Sequence, residues 1–535
     1  MDINSFLRRK GKKWLLLDSL LIINMAILTL IMLIFHVYWG DINLIVSDYV
    51  NFDINLVFII FVVLLLPLMY GAAILHVHLR NIKKNNAITP CILNKVVPIA
   101  LMLIYSILFV LLLYYLEQYS RLIPQVIEFY SIFIIIPLSF LLILGLFPLI
   151  KSIPLWKNHL SHRMLKIEMK SKIILGLIIT GYLFALAVSL LFIPSNVIYG
   201  DLHPKPNLIA HRGASHLAPE DTIIAGELAV EHGAVGWEVD IQISVDGELF
   251  LLHDDTLTRT TNVEDIFPNR KNDRAETFTL SELRQLDAGS WFADKDPYGA
   301  LAFGRISKED ADIYRGMKIP TFEEVLNFTR NNDFYIDFDT KLPSSSHLYS
   351  DVYFETILNE TLESGINLTK VMIFTSNVEW IDLINQKNAT DILLGMDMNS
   401  NPSFEEFERS EYNYTLIKTG DEYSNELYRS FYLHNIPVMV YTIDSIERFS
   451  QLWCLGTSFV MTNEVHAFNI LNAPIWYLSI ESYIVLWSII YIATLSSLLI
   501  IKFVFLKKRK KENNTSEEQE SKPCSECFNK KNVLI

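Results

Sequence analysis

Long apolar runs open the chain at residues 14–36, 56–77, 97–116, 129–150 and 173–194, and a sixth covers 483–505. Each approaches the ~20 residues that span a bilayer's hydrocarbon, so the pattern predicts five transmembrane helices over 14–195 and a sixth near the C-terminus. From residue 206 the pattern changes. Short apolar runs alternate with helix-period segments, as in repeated βα units around a parallel sheet. Strands are expected at 206–211, 235–242, 248–253, 333–339, 370–375, 391–396, 414–418, 437–443 and 458–463. An eight-stranded α/β TIM barrel over 196–475 would use all but one, with a helix-poor insertion at about 262–320.

Basic residues set the expected orientation of the spans. Arg8, Arg9, Lys10, Lys12 and Lys13 lie in the segment 1–13, Arg80, Lys83, Lys84 and Lys95 between the second and third runs, and Lys157, Arg163, Lys166, Lys170 and Lys172 between the fourth and fifth. Lys507 to Lys511 follow the sixth. Positive residues favour the cytosolic side, so both termini are expected in the cytosol and the 196–475 block outside or in a lumen, on a plasma or endomembrane. The first run is too long, and too soon followed by another, for a cleaved signal peptide. Sequons at Asn327, Asn359, Asn367, Asn388 and Asn413 fall in the block assigned to the glycosylation-competent side. The polar tail, 506–535, is expected to be disordered.

Composition narrows the function. Hydrophobic residues make up 51% of 535 positions, an excess that the spans explain. The formal net charge of -14 argues against a nucleic-acid partner, which needs clustered Lys and Arg. Membrane lipids are the expected surroundings. A transport role finds little support, because the ionisable residues His36, His76 and His78 lie near span ends. The barrel block contains one of the four cysteines, Cys454, so no internal disulfide can form there and a buried thiol is expected. Cys524 and Cys527 supply two of the four ligands of a structural zinc site.

Candidate chemistry collects at the predicted strand ends, where barrels of this class place it. The first strand ends in His211-Arg212-Gly213, and the third in His253-Asp254. In the second, Glu238 and Asp240 share one face by the strand period of two, while Trp237, Val239 and Ile241 form an apolar face suited to packing on helices. The carboxylates should therefore point inward, and paired like charges in a confined space call for a cation.

These pieces, His211-Arg-Gly-Ala, Ala218-Pro-Glu-Asp-Thr, Trp237-Glu-Val-Asp and Leu252-His-Asp-Asp-Thr-Leu-Thr-Arg, resemble the glycerophosphodiester phosphodiesterases. Asp287-Ala-Gly-Ser-Trp-Phe, Ile319-Pro-Thr-Phe-Glu-Glu and Tyr441-Thr-Ile-Asp fit the same pattern, and five spans before the domain and one after match its six-span animal branch. The resemblance implies hydrolysis of a glycerophosphodiester or related lipid head group to glycerol 3-phosphate and an alcohol. It further implies that Glu238, Asp240 and Asp337 bind Ca²⁺ or Mg²⁺, that Arg212 stabilises charge, and that His211 and His253 act as acid and base, with His253 alternatively a metal ligand.

Departures from the family pattern stand at four positions. Asp221 replaces the usual Asn and places a carboxyl near the mouth. Asp337-Phe338-Asp339 replaces Glu-x-Lys, leaving Lys341 as a partial substitute for the phosphate-binding lysine, and Asn463 stands where many members have Asp. Added acidity beside an anionic substrate favours an alternative reading, a membrane receptor or scaffold that keeps the barrel for binding after turnover has weakened.

Overall fold

Residues 193–375, 377–397, 407–410, 412–418 and 424–520 are described by the computed structural model, with scattered positions between 58 and 132. The chain divides into two units, Ser195–Ser479 and the combination of Met1–Pro194 with Ile480–Ile535.

The Ser195–Ser479 unit contains β1 (Asn207–His211), β2 (Gly236–Ile243), β3 (Leu249–Leu251), β4 (Tyr335–Thr340), β5 (Val371–Phe374), β6 (Leu393–Asp397), β7 (Tyr414–Lys418), β8 (Val438–Tyr441) and β9 (Phe459–Thr462). Strands β1, β2 and β4 to β9 pair in parallel and close on themselves, because β1 bonds both β9 and β2. This is the TIM barrel expected from the alternating pattern.

The surplus strand is the third. The run at 248–253 does not join the ring; its core, β3, folds back antiparallel on β2, pairing Leu251 with Ile241. The turn between them explains this. Gly247 adopts φ +88, and its N–H donates to Ser244 O at 2.9 Å, closing a tight hairpin that leaves no room for a crossover helix. His253 therefore reaches the barrel mouth from a hairpin rather than from a barrel strand.

Alternation along β2 has the expected sense. Trp237 faces outward and is completely buried, edge-on to Phe328 at 5.3 Å between ring centroids, with Nε1 donating to Thr329 Oγ1 at 3.0 Å. Both partners lie on the helix Phe322–Asn331, which starts at a capping box between Thr321 and Glu324 and buries Phe322, Val325, Leu326 and Thr329. Burying a large apolar side chain of this kind contributes about 2–3 kcal/mol, which fixes β2 against its helix and turns Glu238 and Asp240 inward. Ile209, Met372, Leu416, Met439 and Met461 form an apolar plug inside the barrel.

Short helices and 3₁₀ turns between Val263 and Ile313 make up the insertion. It has its own core, in which Leu257, Val263, Phe278, Leu283 and Leu286 pack on Phe250. The ends of the unit meet in a short parallel ladder, Val197–Ile198 on Leu478–Ser479. Cys454 is a free, buried thiol, pushed by burial up to about 12.

In the other unit, the helix Ile480–Glu520 holds Ile480–Ser497, the one stretch among the described residues long and apolar enough to cross a membrane; it overlaps the run at 483–505. The helix continues through 506–520, where disorder is expected from composition. Lys, Glu and Gln are good helix formers, and a helix already nucleated upstream extends through them at little cost. The runs 14–36, 56–77, 97–116, 129–150 and 173–194 lie outside the described residues, apart from scattered helical positions between 58 and 132 and residues 193–194.

Candidate active site

The β1 terminus is built by a left-handed turn. Arg212 and Gly213 adopt φ +55 and +77, and a Cβ on Gly213 would lie 2.6 Å from Ala225, so glycine is required there. This turn aims the Arg212 backbone N–H at Glu238 Oε2, 2.9 Å away. His211, the last residue of β1, places Nε2 3.9 Å from the same carboxylate oxygen and Nδ1 2.8 Å from Asn463 Oδ1. Burial, with help from the Arg212 charge, lowers the His211 pKa and favours its neutral form.

The inward carboxylates of β2 meet those of β4. Strand register pairs Glu238 with Asp337 and Asp240 with Asp339, so all four share the interior face. Glu238, Asp240 and Asp339 offer oxygens that lie within 4.8 Å of one another. Asp337 and His253, expected as further ligands, fall outside that group. Asp337 sits one layer below Asp339, level with Glu238, where the Tyr414 hydroxyl donates to its Oδ1 at 3.4 Å. Burial, and then Asp339, push Asp337 up to about 7. Burial and the Asp240 and Asp339 charges likewise raise Glu238 well above the usual range. Burial would do the same to Asp240, but Arg212 and Lys341 outweigh it and hold this carboxyl low.

This donor set suits a hard divalent cation. Three carboxylates converge, and both Asp240 oxygens are buried without a well-aligned hydrogen bond, although Arg212 Nε and Lys341 Nζ approach them at 3.1 and 3.0 Å.

A second ion network supports the two other cationic or basic candidates. Arg212 Nη1 reaches Glu220 Oε1 at 3.1 Å, and Glu220 also accepts two bonds from Arg259 at 2.9 and 2.6 Å. Arg259 in turn grips Asp254, which holds His253 Nδ1 at 2.7 Å. Burial opposes ionisation of Asp254, yet the bonds from His253 and Arg259 keep it well below the usual carboxylate range. Asp254 is then a pure acceptor, so His253 carries a proton on Nδ1, and Nε2 is the nitrogen left for a reacting group. Glu220, Asp254 and Arg259 sit in the quoted motifs, but their pairing spans up to 39 residues and no local spacing signals it.

Asp221 corrects one expectation. Its carboxyl is buried rather than at the mouth, with Oδ1 accepting the Asp240 backbone N–H at 3.2 Å, and burial together with Asp240 raises its pKa well above the usual value. The neutral form is favoured, so no extra charge faces the substrate. Its φ of +55 lies in the region that Asn and Asp tolerate best. Around this site the insertion contributes Tyr298, stacked on His216 at 4.3 Å, and Trp291, 5.9 Å from the Arg259 guanidinium. The sequons are split: Asn367, Asn388 and Asn413 are exposed, while Asn327 and Asn359 are half-buried.

Residues 211–467 match the sequence profile of the Glycerophosphoryl diester phosphodiesterase family. Human glycerophosphoinositol inositolphosphodiesterase GDPD2 is 30% identical over 332 residues, 59% of this chain and 57% of the relative. Chicken (Gallus gallus) glycerophosphodiester phosphodiesterase domain-containing protein 5 is 30% identical over 320 residues, 58% of this chain and 51% of the relative. The chain thus matches between half and three fifths of the length of these animal relatives. A solved glycerophosphodiester phosphodiesterase from Agrobacterium tumefaciens is 20% identical, covering 50% of this chain and 100% of that one with a TM-score of 0.38.

Proposed function

Because residues 211–467 form a domain of the glycerophosphoryl diester phosphodiesterase family, we propose that this chain hydrolyses glycerophosphodiesters to glycerol 3-phosphate and a free alcohol. The observation that carries the proposal is the pair of oriented imidazoles flanking the acidic cluster. His211 is neutral by burial and bonds Asn463 through Nδ1, so its Nε2 is the basic atom beside Glu238. It takes the proton from the attacking hydroxyl, by family likeness the neighbouring glycerol hydroxyl, giving a cyclic phosphate that water then opens. His253, held at Nδ1 by Asp254, acts as the general acid in its doubly protonated form, giving the Nε2 proton to the departing alcohol and keeping the Nδ1 proton in its bond to Asp254. Arg212, fixed by Glu220 and Asp240, adds positive charge beside the phosphoryl group.

Glu238, Asp240 and Asp339 are the residues that would hold Ca²⁺ or Mg²⁺. Such an ion supplies Lewis-acid polarisation of phosphoryl oxygens. The domain is proposed to face the outside or a lumen, with both termini in the cytosol, on the support of the basic loops and the sequons.

The test uses the full-length chain with Ca²⁺ or Mg²⁺ and a panel of glycerophosphocholine, glycerophosphoethanolamine and glycerophosphoinositol. Product analysis separates glycerol 3-phosphate from a phosphorylated head group, the second outcome being suggested by the name of the human relative, a glycerophosphoinositol inositolphosphodiesterase. His211→Ala is expected to lower turnover by about a hundredfold or more. A folded chain that releases neither product from any substrate would leave the binding-scaffold reading in its place.

A further inference from the structure

Lys341 follows β4 directly, and its backbone N–H donates to Ile241 O at 3.0 Å, so its main chain is anchored on β2 while the ammonium sits at the end of a four-carbon stem with several rotatable bonds. The ammonium does not point to solvent. Nζ lies 2.7 Å from Asp339 Oδ2 and 3.0 Å from Asp240 Oδ1. Those are two of the three carboxylates that form the candidate cation site. Burial acts against the charge on Lys341, but Asp240 and Asp339 outweigh it and raise its pKa.

The two possible occupants exclude each other. A divalent ion coordinates carboxylate oxygens at about 2.0–2.6 Å, which would bring it within a few ångströms of an ammonium bonded to those same groups. Like charges at that spacing repel strongly where solvent screening is weak. The contact with Asp339 is a hydrogen bond, whereas that with the fully buried Asp240 is an ion pair poorly aligned for one.

We propose that Lys341 is a tethered competitor of the divalent cation: it neutralises Asp240 and Asp339 until a cation displaces it, and the displaced ammonium then turns to the substrate phosphate. This rests on the acidic cluster being a cation site, and it adds an exchange of partners to that reading. A single lysine thereby covers two tasks, preventing repulsion among the carboxylates in one state and binding an anion in the other. The metal-free site is stabilised at the cost of cation affinity.

Calorimetric titration of the full-length chain with CaCl₂ or MgCl₂ alone, without substrate, tests the proposal. Lys341→Met is expected to bind the cation about tenfold more tightly than wild type, and the cation should raise its melting temperature by more. Lys341→Gln, which keeps a donor for the carboxylates, serves if the methionine variant folds poorly, with the same direction expected. Cation binding by wild type that is unchanged or weaker in the folded variants would overturn the proposal. Absence of binding in wild type and variants alike would remove the cation site itself, and the competition with it. Asp339→Asn marks the site, because binding should disappear there.

Discussion

Asn463 Oδ1 lies 2.8 Å from His211 Nδ1, and a third residue fixes which way that amide faces. Asn463 Nδ2 donates to Asp444 Oδ2 at 2.7 Å; a carboxylate only accepts, so the amide nitrogen must face Asp444 and the oxygen must face His211. Ser215 Oγ donates to the same oxygen at 2.6 Å. The imidazole proton is therefore on Nδ1, and Nε2 keeps its lone pair beside Glu238. An amide thus does the orienting that an aspartate would do, with the negative charge moved one residue away to Asp444.

Asn463→Ala should accordingly lower kcat by about ten- to a hundredfold with KM changed little, since the base loses its tautomer rather than its place. Asn463→Asp restores an acceptor and should retain more activity than the alanine variant. Steady-state kinetics on the two proteins, with melting temperatures to confirm folding, separate orientation from collapse of the β9 end; equal losses in both would argue against the tautomer account.

The acidic cluster gives a second comparison. Asp339→Asn should abolish stimulation by Ca²⁺ or Mg²⁺, because it removes one of three converging carboxylates. Asp337→Asn should leave stimulation largely intact, because that residue lies outside the converging group and accepts from the Tyr414 hydroxyl. The opposite ranking in a cation titration of activity would return the ligand role to Asp337.

That pair also shows how far the sequence carries. The period of two along β2 places Glu238 and Asp240 inward, and the outward Trp237 against Thr329 bears this out. The same period puts Asp337 and Asp339 on one face but does not say which of them converges with Glu238 and Asp240, so the two look alike. His253 is visible as a histidine at a strand end; the hairpin that delivers it is signalled only by Asp246-Gly247. Glu220 with Arg259 depends on tertiary approach and has no local signature. The Asp221 substitution reads as an added charge until burial of its carboxyl is known.

Membrane orientation has its own test. Asn367, Asn388 and Asn413 are exposed and stand just before β5, β6 and β7, at the end of the barrel opposite the strand termini that carry the site. Glycans there would not obstruct the mouth. When the full-length chain is expressed in animal cells, a glycosidase-sensitive mass at these three positions is expected, and replacing all three by Gln should leave turnover unchanged. A chain carrying no glycan at any sequon would count against the outward placement of the domain.

Glu464 ties the segment after β9 to the insertion, and its charge should make that tie sensitive to acid. His216 Nδ1 lies 2.8 Å and Arg305 Nη1 3.0 Å from Oε1, while His466 Nε2 is 3.3 Å from Oε2. Burial opposes ionisation, but His216 and Arg305 prevail and the carboxyl is lowered to about 2. A depressed carboxyl stabilises the fold fully above its unfolded pKa, near 4.5, and the contribution disappears as pH falls towards 2. Its size is on the order of 2 kcal/mol for this largely buried group. Glu464→Gln should therefore lower the melting temperature by several degrees at pH 6 to 7 and bring the two proteins together as the pH is reduced below 4. Melting curves across that range check the sign; a gap that widens on acidification would show that the carboxylate costs stability where it is charged.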